Sequence, residues 1–225
     1  MEITKVILKT NDIQSMKQFY KDVLEMEIIL EGDQFFEVLV GESVLAFTSK
    51  DVEGEPYYHF AFNIPSNQFK EAKHWVQSRV QLNTEEGEDE ADFSDLPAQS
   101  LYFYDPAGNI VEFIARHSIS EGSGVPFSSN SLLKISEISI TVTDAQSAGV
   151  RMGQIGIHER DQEPISGSVL NFMGSRKRGN SLLLIEPGRR WIFSDKKAEV
   201  HPLDVILGTG DRVVVNDQHT LEVNP

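Results

Sequence analysis

Apolar and polar positions alternate through residues 2–10, the two-residue period of a half-buried strand. Asp12 then precedes Ile13, Met16, Tyr20, Val23 and Leu24, whose spacing predicts a helix capped by that aspartate. Short strand-like runs follow near 26–31, 34–40 and 43–49, so the first fifty residues read as one βαβββ unit. The order recurs. Residues 57–64 predict a strand, Ser66 a cap, and Phe69, Ala72, Val76 and Val80 a helix face, with closing strands at 100–104 and 110–115. A third copy starts at 135–142, with Asp144 as cap and strands expected near 154–159, 168–173 and 181–186. Lys5, His59 and Glu137 each lie seven residues before the cap of their unit, and GESVLAFTSK (41–50) aligns with GNSLLLIEPG (179–188), setting Ala46 against Leu184. The last residues, 199–225, predict a meander or a shortened fourth unit without its helix.

Within the second unit, residues 99–117 (QSLYFYDPAGNIVEFIARH) predict two strands joined at Asp105-Pro106-Ala107-Gly108, where proline presets φ and glycine accepts a positive one. Strand alternation places Leu101, Phe103, Val111 and Phe113 on one face and Tyr102, Tyr104, Ile110, Glu112 and Ile114 on the other. Glu112 is thus a carboxylate in apolar and aromatic surroundings. It must be paired, protonated, hydrogen-bonded or bound to metal.

The run YDPAGNIVEF resembles the closing hairpin of the vicinal oxygen chelate superfamily, which includes glyoxalase I, extradiol dioxygenases, fosfomycin-inactivating transferases and bleomycin-sequestering proteins. The resemblance implies an α+β fold in which paired βαβββ modules form a curved mixed sheet with a cleft, here with a third, related module. It implies a glyoxalase-like domain at 1–117, built from modules 1–50 and 51–117. A serine- and glycine-rich linker at 118–131 and an incomplete related domain at 132–225 would follow. An unpaired third unit would leave a strand edge open, so it is expected either to pack on the first domain or, as the favoured reading, to pair with its copy in a homodimer.

In that superfamily metal ligands come from the first and fourth strands of paired units, and the corresponding positions are Lys5, Ala46, His59 and Glu112. His59 and Glu112 suit a divalent metal such as nickel, manganese, iron or zinc; Lys5 and Ala46 do not. Two readings of Lys5 stay open, an ammonium paired with Glu112 in the place of a metal, and a solvated side chain. His59 can be a hydrogen-bonded cavity residue, a metal ligand or a general acid or base. Tyr57, Tyr102, Tyr104 and Phe35 are candidates for lining the cleft or for plain strand packing. Glu137 could join His201 and Glu222 in a second site.

Thirty-five acidic against twenty basic side chains give a net charge of −15, which opposes phosphate contacts and argues against nucleic acid or anionic membrane as partners. Seven of the carboxylates fall in residues 85–95 (EEGEDEADFSD), a solvated run or a charged lid at the cleft mouth. No cysteine is present, so neither disulfides nor thiolate chemistry enter. No basic and apolar leader opens the sequence, and a cytoplasmic location is expected. The expected function is binding of a small organic molecule in a sheet cleft, either as a divalent-metal-dependent lyase, isomerase or dioxygenase with catalytic roles for Glu112, His59 and Lys5, or as a non-catalytic, antibiotic-sequestering binder.

Overall fold

The computed structural model describes residues 1–93 and 97–224. Its first unit comprises β1 (Ile3–Lys9), α1 (Ile13–Gln18), β2 (Ile28–Glu31), β3 (Phe35–Val40) and β4 (Ser43–Thr48). The second has β5 (His59–Ile64), α2 (Phe69–Gln77), β6 (Ala91–Phe93), β7 (Ala98–Tyr104) and β8 (Ile110–Arg116). The third has β9 (Lys134–Thr141), α3 (Ala145–Gln154), β10 (Asn171–Ser175) and β11 (Asn180–Ile185). The chain ends in β12 (Leu203–Leu207), β13 (Arg212–Val215) and β14 (Leu221–Asn224). The expected strand at 154–159 is reduced to a bridge between Glu159 and Met173.

Two seven-stranded mixed sheets result, in the orders β14-β13-β12-β1-β4-β3-β2 and β10-β11-β9-β5-β8-β7-β6. In each unit the first strand runs parallel to the last, as β1 does to β4 and β5 to β8. The units join through antiparallel first strands: β5 pairs with β9, and β1 with β12. The second unit therefore shares a sheet with the third, and the first with the terminal meander. Sheet pairing crosses the division expected at residue 117, and the strand edge that suggested a homodimer is filled by β5 of the same chain.

The physical reason lies in burial. Phe60, Phe62, Phe113, Ile138 and Ile140 of one sheet and Val6, Leu8, Phe36, Val38 and Phe47 of the other belong to one continuous apolar cluster with Met16, Ala72, Val76 and Met152 of the helices. Leaving β9 unpaired would expose backbone donors beside that cluster. Asp12 and Asp144 cap α1 and α3, each accepting from the amide three residues on, Ser15 and Ser147. Ser66 does not cap α2. The N-cap is Gln68, which makes no side-chain cap bond; its amide nitrogen donates to Glu71 Oε2 at 3.0 Å and to Val125 O at 2.5 Å.

The turn before β8 forms as expected. Gly108 has φ +77°, and its amide donates to Asp105 O at 2.9 Å. The two faces of the hairpin separate as the alternation requires. Leu101, Phe103, Val111 and Phe113 enter the main core, while Tyr102 and Ile110 join a second cluster with Leu183, Ile185, Trp191, Phe193 and Ala198. That second cluster forms because residues 188–198 fold back over the sheet, closed by bonds between the backbones of Gly188 and Ala198 and of Trp191 and Lys196. No helix among the described residues is long and apolar enough to cross a membrane.

Candidate metal centre and its cavity

Ala61 lies opposite Glu112 across the parallel β5·β8 pair and opposite Glu137 across the antiparallel β5·β9 pair. His59, two residues earlier on β5, projects from the same face as Ala61. The methyl side chain of Ala61 leaves the space between the carboxylates open. One donor atom each from His59, Glu112 and Glu137 lies within 4.8 Å of the others, and all three residues are buried.

Neighbouring groups fix each donor. His59 Nδ1 lies 3.1 Å from the Ile110 carbonyl; as Nδ1–H donating there, it leaves Nε2 toward Glu112 Oε2 at 3.4 Å. Ser100 Oγ donates to Glu112 Oε1 at 2.5 Å. Arg116 donates to Asn63 Oδ1 at 3.2 Å and makes a buried ion pair with Glu137 Oε1. Burial opposes charge on His59, but the hydrogen bond and charge of Glu112, with Glu137 behind it, raise its pKa above the ordinary value. Burial likewise pushes Glu112 up, yet His59, Ser100 and Arg116 together hold it below the usual carboxylate range. Glu137 stays above that range because burial and the Glu112 charge outweigh Arg116 and His59.

These groups form the floor of a cavity of about 380 Å³, roofed by residues 188–198. Trp191 packs on His59 with ring centroids 4.9 Å apart, and Phe193 stacks on Tyr102 at 4.9 Å and 13°. A groove of about 990 Å³ beside α3 is larger but open, and among the described residues it holds no comparable donor cluster.

Of the residues singled out in the sequence, His59, Glu112 and Tyr102 meet in this cavity. Lys5 does not pair with Glu112. It lies on the other sheet, with Nζ 2.6 Å from Glu37 Oε1, and Glu37 is opposite Ala46. Phe35 is on that sheet too, partly exposed. Tyr57 and Tyr104 hold the roof instead of lining the cavity: Tyr57 Oη donates to Lys197 O at 2.8 Å, and Tyr104 Oη to Ser194 Oγ at 2.7 Å. Within the acidic run, Glu85 pairs with Arg190 and accepts from the Phe193 amide at 2.5 Å. Ser94 and Asp95 lie outside the described residues.

Glu137 joins His59 and Glu112, not His201 and Glu222. His201 packs on Tyr57 and Tyr58, and Glu222 accepts from Asn216 at 2.7 Å. The count of seven residues before each expected cap marked Glu137 as the counterpart of His59, but pattern alone did not say which units share a sheet. The fourth position of the paired units is Leu183, opposite Ser139, one residue from the expected Leu184. Arg116, Ser100 and Trp191 carried no sequence signal of their own.

A family model described as Glyoxalase/Bleomycin resistance protein/Dioxygenase superfamily matches residues 2–113. The chain belongs to that superfamily. A second model, Toxoflavin-degrading enzyme, matches residues 135–189, the stretch that contains Glu137. The chain is 32% identical over 115 residues to metallothiol transferase FosB of Staphylococcus saprophyticus, covering 49% of this chain and 74% of that protein. Two solved structures cover 82% of this chain and share its fold. One is a glyoxalase I mutant from Zea mays (13% identity, TM-score 0.51, 66% of that chain), the other a Bacillus subtilis protein (12% identity, TM-score 0.56, 63% of that chain).

Proposed function

We propose that His59, Glu112 and Glu137 hold one divalent cation on the cavity floor, and that the chain is a metal-dependent enzyme acting on a small organic molecule. The observation that carries this reading is the approach of one imidazole and two carboxylate donors within 4.8 Å of one another. The donor set fits such an ion. Three protein ligands with further positions open are the pattern of a catalytic site, and nitrogen and oxygen donors without thiolate suit manganese, iron, nickel or zinc. When bound, the ion supplies Lewis-acid polarisation of substrate oxygens.

The chain's own residues do the remaining work. The Ile110 carbonyl orients the His59 ring, Ser100 engages Glu112 Oε1, and Arg116 engages Glu137 Oε1, so Oε2 is the Glu137 oxygen left for a cation. Tyr102, Trp191 and Phe193 exclude water from the floor. Among the chemistries of this superfamily, degradation of a small organic molecule is favoured, because the match to the Toxoflavin-degrading enzyme model spans both Glu137 and Arg189.

Elemental analysis of untagged protein purified without chelators tests this reading. It predicts near-stoichiometric metal in the native chain and loss of it in His59→Ala. A second reading, a metal-free binder, is favoured by Arg116 and His59, which already offset the two buried carboxylates. It predicts no metal even after soaking with manganese, iron, nickel and zinc.

A further inference from the structure

Four of the chain's nine arginines line this one cavity, Arg116, Arg160, Arg176 and Arg189, and no lysine does. In a chain with a net charge of −15 the background field opposes such a cluster, so the local excess of positive charge is a property of the cavity. Arg116 is buried, Arg160 and Arg189 are half-buried and Arg176 is exposed, so the arginines run from floor to mouth.

Their carboxylate partners are unequally distributed. Arg116 is matched by Glu137. Arg160 and Arg176 both pair with Asp161. Arg189 has no carboxylate partner among the described residues; its guanidinium lies 5.8 Å from the Trp191 ring centroid, and Nη1 donates to the Arg190 carbonyl at 3.4 Å. Burial, then the neighbouring Arg190, lowers the Arg189 pKa from its ordinary value, as befits a cation held from water without a counter-charge. Arg160 is held against the Phe172 ring at 3.7 Å, which fixes its plane. The upper cavity thus holds in Arg189 a guanidinium that no carboxylate among the described residues offsets, on a planar fork that matches an oxyanion.

We infer that the ligand of this cavity is a small organic anion whose carboxylate or other oxyanion group is held by Arg189, with Arg160 beside it, while the rest of the molecule faces His59, Glu112 and Glu137. This rests on the proposed metal-dependent reading for what happens at the floor, but anion selection belongs to the arginines and does not need the metal. Arg189 is the specificity-determining residue. It lies on the same segment that roofs the site, so the anion also ties the roof to the ligand.

The test compares 2-naphthoate with its neutral isostere 2-naphthamide by titration calorimetry, on the chelator-treated chain and on the chain loaded with manganese. The expected result is a preference for the carboxylate of about tenfold or more in both forms. Arg189→Gln should remove it, and Arg189→Lys should keep part of it. The manganese affinity of Arg189→Gln should match that of the native chain, which also shows that the variant is folded. Equal binding of the two probes to the native chain would overturn the inference, as would an unchanged preference in Arg189→Gln, which would place the carboxylate elsewhere. Failure to bind manganese would remove the metal reading alone, since the chelator-treated comparison still decides whether Arg189 selects anions.

Discussion

At the scale of single residues, the candidate centre depends on a side chain that does nothing chemical. Ala61 separates Glu112 from Glu137 in the strand register, and its methyl group is what leaves room between them. Ala61→Val should therefore lower manganese affinity by more than about tenfold, while overpacking costs ~1–3 kcal/mol of stability. Calorimetry and thermal melting check the two effects separately. Asp105 shows the opposite case, a buried carboxyl that burial pushes up to about 6 despite bonds from Tyr20, Asn109 and the Ala107 amide. Because the folded state holds this proton more tightly than the unfolded chain, Asp105 contributes most stability below pH ~4 and loses it as pH rises through 6, a change on the order of 3 kcal/mol. Comparing melting temperatures of the native chain and Asp105→Asn between pH 4 and 7 should show this component disappear in the variant. An identical pH profile for both would contradict it.

Among the elements, the roof formed by 188–198 lies outside both sheets and is held by its own backbone bonds and by side chains that reach it from elsewhere. Phe193 takes φ +52°, which a non-glycine residue adopts at some cost. It is held there by stacking on Tyr102 and by its amide bond to Glu85. Phe193→Ala should cost about 3 kcal/mol. Glu85→Gln combined with Tyr104→Phe should raise hydrogen exchange in 188–198 while leaving β5 and β8 protected; unchanged exchange would mean that these two anchors are not what holds the roof. This segment was illegible in the sequence because it has no period. Tyr57 and Tyr104 were legible as aromatics near the site, but their hydroxyls contact the roof and not the cavity. The hairpin at 98–116, by contrast, was readable in full, since its turn chemistry and alternation are local.

For the whole molecule, the repeat count exposed the three units and set Lys5, His59 and Glu137 as equivalents, yet the partner of each unit is decided by long-range strand pairing. Counting therefore found two of the three donors together and assigned the third elsewhere. The sheet that holds Lys5 and Ala46 has a lysine–glutamate pair where its counterpart has the donor cluster, so the proposed chemistry falls to one sheet while the other holds an ion pair. A chain cut after residue 117 should lose β9, expose the edge of β5 and aggregate, which size-exclusion chromatography would detect as loss of the native species. The measurement that tests the account most directly is the manganese affinity of folded Glu137→Gln, compared with the native chain by calorimetry. If the third unit completes the centre, the native chain binds about one ion and the variant loses affinity by more than about a hundredfold. Native-like affinity in the variant would contradict it and return the site to His59 and Glu112 alone.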